Sequence, residues 1–381
     1  MWLLPVFFPP RPARRRRLAC AAAVLLALAP ASAPALVFSV DAAKDLADVL
    51  PGDGICASDA GSCSLRAAVD EANALPGPDA IVVPRGRYRL VLGSLVVADD
   101  LELAGDGAAP PTIQGDGLQR VLAVGAGVNV AVSDLTLRSG GGEDGAGIHN
   151  AGLLELTRVV LMRHSAEAAS GGALYNAGTA TLREVRVLGN NAFFGAGIYN
   201  AGILTVEDTL VRRNRHSVDG GGAGLFNLGE ATIVRSSFVK NQARIGLGGG
   251  AIYNDNLLEV TNSTISRNRA RIGTGGGVVT GPNGVTTLFN VTLLRNQARF
   301  YSGGIANFGV TAVHNTIVAE NFNNRVRDIN CGGDVPVLSL GFNLDSGAVC
   351  SFAGPGDLSN AKPYTRSENL NGGLTPSRAL M

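Results

Sequence analysis

Between about residue 80 and residue 350, apolar positions come in short bursts that alternate with polar ones, and Gly, Asn and Asp separate the bursts. Examples are "LLEVT" (257 to 261) and "STISRNRA" (263 to 270); a period of two over so few residues predicts short strands, and no window there carries a helical period. The bursts belong to a longer repeat. "GAGIHN", "GGALYN", "GAGIYN", "GAGLFN", "GGGAIYN" and a shorter "GGIAN" place Asn at 150, 176, 200, 227, 254 and 307, with Thr280 in the remaining register, so the step is 24 to 27 residues. Three strands per step, without a leucine-rich ladder or a helix-forming half, predict stacked coils about 4.8 Å apart.

Aligned on that Asn, the columns are consistent. Ile148, Leu174, Ile198, Leu225, Ile252, Val278 and Ile305 form one inward aliphatic row. Leu154 with Leu156, Leu204 with Val206 and Leu258 with Val260 form a second; Leu161, Val187, Phe238, Ile265, Leu293 and Val318 belong to a third. A lone coil cannot bury such a face, so the stack supplies the core. Two Asn columns, the one above and Asn190, Asn214, Asn241, Asn268, Asn296 and Asn321, read as structural: stacked amides satisfy one another and the turn backbone. The Gly run implies unusual backbone angles or close approach of neighbouring coils. Ahead of the coils, Ser64 followed by "LRAAVDEANAL" predicts the one good helix, with Leu65, Ala68, Val69 and Ala72 on a single face that covers the open end of the first coil.

The first 35 residues differ from the rest. Arg11 and Arg14 to Arg17 precede the apolar run "LACAAAVLLALA", and Ala33-Pro34-Ala35 fits cleavage after Ala35, so residues 1–35 read as a secretory signal peptide. That run is too short to span a bilayer, and no transmembrane segment is expected after cleavage. Four cysteines remain in the exported chain. Local pairing, Cys56 with Cys63 and Cys331 with Cys350, is the simplest arrangement in an oxidising compartment; buried free thiols are the alternative.

Both ends carry a resemblance. "GDGICASDAGSCSLRAAVDEANA" (52 to 74) resembles the CSLREA motif at the front of secreted bacterial right-handed β-helix proteins of pectin-lyase-like fold, with Ala67 where that motif has Glu. "NTIVAENF" (315 to 322), "SLGFNL" (339 to 344) and "NGGLTPSRAL" (371 to 380) resemble the choice-of-anchor Q region of the same group. The resemblance implies export and a right-handed coil. The expectation is thus an all-β, right-handed parallel β-helix, a solenoid of about ten three-strand coils with a short N-terminal capping helix. Its parts are a leader (1–35), an N-terminal cap with the Cys56/Cys63 loop (36–80), the β-helix (81–330) and a C-terminal cap or tail with Cys331 and Cys350 (331–381). No sorting tail or hydrophobic anchor follows "TPSRAL", which leaves the extracellular space, the cell surface or the periplasm as the expected location.

Charge adds one feature. Without the five leader Arg the chain holds 27 basic and 31 acidic residues, yet residues 212 to 299 hold eleven basic against four acidic. Arg213, Lys240, Arg267 and Arg295 share one column, and Arg244, Arg271 and Arg299 another nearby. The bland reading is a solvated stripe; the sharper one is a strip for an acidic polysaccharide or cell-envelope glycan. Nucleic acid is not expected, because no stacking aromatics are interleaved with these cations. A further column, His149, Tyr175, Tyr199, Phe226 and Tyr253, predicts an outward aromatic ribbon that either packs across coils or meets sugar rings.

Candidate catalysis rests on one of the central Arg or on one column of mixed charge, Asp134, Arg158, Glu184, Asp208, Arg235, Asn262, Asn290 and Asn315, where Glu184 and Asp208 are the adjacent carboxylates available for acid/base work and a salt-bridge ladder is the alternative. The four His are scattered, and Asp53 with Asp59 falls short of a calcium set, so no metal and no cofactor is expected. The composite expectation is an exported binding protein, adhesin-like or glycan-binding without turnover. A polysaccharide lyase or glycoside hydrolase acting on an acidic glycan is the alternative, and a structural surface spacer is the second.

Overall fold

A computed structural model describes residues 35–107, 109–216, 220–324 and 326–364, together with positions 369, 375 and 377. The signal-peptide reading falls on residues outside this set, apart from Ala35. The described chain is a parallel β-helix of about ten stacked coils. Its first sheet holds twelve described strands, mostly of five residues, from Val37–Ser39 through Leu153–Thr157 to Leu338–Ser339; its second holds ten, from Leu95–Val97 to Cys331–Gly332. The third holds twelve, from Arg87–Arg89 to Leu358–Ser359.

Register follows the repeat residue by residue. Ile148 pairs with Leu174, then Ile198, Leu225, Ile252, Val278 and Ile305, all fully buried. Leu161, Val187, Val211, Phe238, Ile265, Leu293 and Val318 make the matching row of the third sheet. Each such side chain is worth about 1.5 to 3 kcal/mol against exposure, and no coil achieves that burial without its neighbours.

A fourth sheet adds to the three expected. Its nine described strands include Ser165–Ser170, Arg215–His216, Gln242–Gly248, Arg269–Ile272 and Gln297–Ala298, and they occupy the stretch between the third-sheet strand and the Gly run. Here the inward residues are mostly alanines, with buried His216 in register between Ala192 and Ala243; Ala223, Ala243, Ala270 and Ala298 pack as one cluster. Two glycines show why the adjoining motif needs its small residues. Gly195 sits at φ 55°, and a Cβ on Gly197 would lie 2.4 Å from the Gly224 carbonyl of the next coil.

Polar ladders tie the coils together. Asn150 Nδ2 donates to Asn176 Oδ1 at 2.8 Å, and the relay continues through Asn200 and Asn227 to Asn254; the hydroxyls of Thr280, Thr286 and Thr311 then bridge to Asn307. In the second ladder the backbone N–H and Nδ2 of Asn190 both donate to Asn214 Oδ1, and the same bonds repeat at Asn214, Asn241, Asn268 and Asn296. A hydroxyl ladder, Thr209, Ser236 and Ser263, runs beside them.

The N-terminal end is closed as the helix pattern requires. The helix Leu65–Ala74 is capped by Ser64, whose Oγ accepts from Ala67 N at 3.0 Å, and Leu65, Ala68, Val69 and Ala72 are buried. Asn73 accepts from Ala98 N and donates to the Val96 carbonyl, so a side chain satisfies the exposed edge of the second sheet. Cys56 is bonded to Cys63 and Cys331 to Cys350, which fits an oxidising compartment. No helix among the described residues is long and apolar enough to cross a membrane.

Candidate functional site

The two charged columns nearest the corners share a backbone conformation that their chemistry does not reveal. Asp134, Arg158, Glu184, Asp208, Arg235, Asn262, Asn290 and Asn315 all have φ between 46° and 57°. So do Arg213, Lys240, Arg267 and Arg295, at 54° to 57°, with Gly189 at 63° in the same column. Each is the left-handed residue that turns the chain from one sheet to the next, and several are followed directly by a ladder residue: Thr209 after Asp208, Asn214 after Arg213, Asn241 after Lys240. The sequence did hold a sign of this, since Gly and Asn are the residues that enter the left-handed region most readily.

On the first of these corners most of the charges are paired. Arg158 pairs with Asp134 at 2.6 Å, and its hydrogen bond holds the Asp134 carboxyl below the usual carboxylate range. Arg235 takes both oxygens of Asp208, at 2.8 to 3.2 Å, and Arg183 links Glu155 with Glu207. Glu184 is exposed beside this chain of pairs. With both oxygens of Asp208 on a guanidinium, the arrangement is an ion-pair ladder of modest energetic weight. On the second corner Arg295 pairs with Glu320, and Lys240 and Arg267 are engaged as well.

The aromatic column forms a stacked spine. His149, Tyr175, Tyr199, Phe226 and Tyr253 follow one another at 4.8 to 5.5 Å with interplanar angles of 5° to 8°, and Phe194 leans on Phe226 at 4.8 Å. The ring faces are turned on one another, Phe226 and Tyr253 are buried, and burial pushes the Tyr175, Tyr199 and Tyr253 hydroxyls up. Flat faces between the two ends of the spine are thus occupied by neighbouring rings.

The fourth sheet brings cations together differently. Strands Gln242–Gly248, Arg269–Ile272 and Gln297–Ala298 align Gln242 with Arg269 and Gln297, and Ala243 with Ala270. Arg244, Arg271 and Arg299 each follow a buried Ala, and with Arg269 they line a groove of about 350 Å³. Gln297 and Asn324 add amide groups; Ile245 and Ile272 are apolar wall residues, and among the described residues no Asp, Glu, His, Lys or Tyr lines the groove. Exposed Leu247, Phe300 and Tyr301 extend the apolar margin, with the Arg299 guanidinium 5.7 Å over the Phe300 ring. Arg269 was not expected here. Its signal was the recurrence of Ala-Arg-Ile at 243 to 245 and 270 to 272, preceded in the second copy by one more Arg.

The remaining candidates do not assemble a centre. Asp53 accepts from the Ile55 amide in a local turn, and no group of His, Cys, Asp and Glu suited to a metal occurs among the described residues. His164 lies fully buried at the head of the second Asn ladder. Its Nδ1 accepts from Gly140 N at 3.0 Å, its Nε2 meets the Leu137 carbonyl at 3.0 Å, and burial pushes the imidazole down to about 3.

No family model matches the chain, and no curated protein does. Among solved structures, the Dettilon tailspike protein (gp208) is similar at 12% identity and TM-score 0.34, over 74% of this chain and 62% of that one. An alginate lyase of the PL6 family, AlyGC, is similar at 14% identity and TM-score 0.26, over 78% of this chain and 52% of that one. The chain thus spans less than two thirds of either.

Proposed function

We propose that this is an exported extracellular or surface binding protein whose fourth-sheet groove holds an acidic polysaccharide or cell-envelope glycan without turnover. One observation carries the reading: four Arg converge on a groove that has no carboxylate among its described lining residues. Planar guanidinium forks match carboxylate and sulfate bidentately, and each charge-assisted pair is stronger than a neutral one. The Ile245, Ile272 and Phe300 margin suits the apolar C–H faces of sugar rings. Among the described lining residues there is no carboxylate, imidazole or lysine, which supports binding over acid/base chemistry. The CSLREA-like front and the choice-of-anchor-like rear support an envelope or extracellular setting.

The test is retention on immobilised polyuronate under a salt gradient. Replacing Arg244, Arg269, Arg271 and Arg299 with Ser weakens binding by at least about tenfold, the equivalent of one charge-assisted hydrogen bond. Replacing Arg213, Lys240, Arg267 and Arg295 with Ser has a smaller effect, within about twofold to threefold, since these four charges lie outside the groove and are screened at the surface. Equal retention of the groove variant overturns the proposal. Accumulating unsaturated uronate or new reducing ends would favour the lyase or hydrolase reading, and no retention by the unaltered protein would favour a spacer.

A further inference from the structure

The first coil holds a buried carboxylate that is only half satisfied. Asp79 is 5% exposed at the start of strand Asp79–Val83. Its Oδ1 accepts from Leu36 N at 2.8 Å, while Oδ2 is buried without a hydrogen-bond partner. A buried carboxylate needs charge compensation as well as hydrogen bonds, and one amide N–H supplies neither in full. The described residues of the surrounding groove add no cation: they include Ala35, Asp79, Asp100, Glu102 and Glu155, and Glu155 already pairs with Arg183. Its chemistry calls for an ammonium at the position of the Leu36 nitrogen.

The sequence supplies one. Ala33-Pro34-Ala35 fits cleavage between Ala35 and Leu36, and Ala35 is exposed. We infer that signal-peptide removal creates the partner of Asp79: the new α-ammonium of Leu36 forms a buried ion pair with this carboxylate and locks the first strand of the solenoid. In the reaction, catalysed by a signal peptidase, water adds across the Ala35–Leu36 peptide bond. The leader departs with a carboxylate on Ala35, and Leu36 gains a protonated amine. That amine keeps its bond to Oδ1 and has further protons for Oδ2. The consequence is local and directional. Leu36 O accepts from Ala80 N at 2.8 Å, and Val37, Phe38 and Ser39 pair in register with Ala80, Ile81 and Val82, so the charge is fixed at the outer edge of the first sheet. The uncleaved chain offers only a neutral amide at that point and its first coil is less stable. Full stability of the cap therefore follows processing. This inference is independent of the glycan reading.

The test begins with the N-terminal peptide mass of the exported protein, expected to start at Leu36. Thermal melting then compares protein beginning at Leu36 with protein retaining Pro34–Ala35. The extended form melts lower by about 1.5 °C, the shift that roughly 1 kcal/mol gives in a chain of this length, and Asp79→Asn removes the difference between the two. A different native terminus, equal melting of the two wild-type forms, or a difference that survives in Asp79→Asn overturns the inference. The comparison of the two wild-type forms stands even where the Asn variant does not fold.

Discussion

Two arginine-rich columns run along the same molecule only a few residues apart, yet they do different things. The corner column, Arg213, Lys240, Arg267 and Arg295, turns the chain at positive φ and is tied into local contacts. The column of Arg244, Arg271 and Arg299 lies along the fourth sheet and, with Arg269, lines a groove that has no acid among its described lining residues. Equal spacing and equal charge therefore do not make equal sites. Whether the backbone beneath is a turn or a strand decides whether side chains splay around a corner or line a shared wall.

The joint between the columns is the most sensitive place to break this arrangement. Asn241 stands directly after corner residue Lys240 and three before Arg244, and its amide serves Asn214, Asn268 and the Val211 carbonyl. Asn241→Ala leaves several buried groups unpaired and lowers stability by about 3 to 4 kcal/mol in denaturant unfolding. It weakens groove binding too, because the strand bearing Arg244 loses its anchor.

A smaller effect comes from the head of the same ladder. His164 has its imidazole pushed by burial from 6.5 to about 3. The unfolded chain takes up that proton below 6.5 and the folded one does not, so the stability is whole above that pH and is lost as pH falls toward 3. By pH 4.5 the loss amounts to about 2 to 3 kcal/mol. Half-buried His149, lowered first by burial, adds in the same direction. His164→Asn, which puts an amide at the ladder position, flattens this part of the melting-temperature profile; an unchanged profile would show that another group governs it.

The smallest effect tests the comparison most directly, because its sign reverses. Arg213→Gly relieves a left-handed residue and raises stability by up to about 1 kcal/mol, whereas Arg271→Gly loosens an extended strand and lowers it by about 0.5 to 1 kcal/mol. Gly189 already fills the corner on the neighbouring coil. Paired urea titrations of the two variants check both signs.

The coil architecture was legible because it depends on columns. Asn at steps of 24 to 27 residues fixes the register, and the aliphatic rows of Ile148 and Leu161 follow from it. The fourth sheet was hidden. Strands as short as Arg215–His216 are below the length at which alternation can be recognised, and Gly-rich flanks read as loop. The left-handed corners were hidden for a related reason: Arg158 and Arg213 are seen first as charges, and only Asn262, Asn290 and Gly189 in the same columns disclose the backbone angle. The outward reading of the aromatic column left open which way the rings face. Nothing local pointed to Asp79 and Leu36, which lie 43 residues apart and meet only when the first two strands pair.

The Asn ladders also bear on how such a molecule changes length. Every rung from Asn190 to Asn296 gives two bonds forward to the next amide and one back to the preceding carbonyl. A duplicated or deleted coil would present the same donors and acceptors at both seams. The rod can therefore grow or shrink by whole units in its middle while its two disulfide-bonded ends stay as they are.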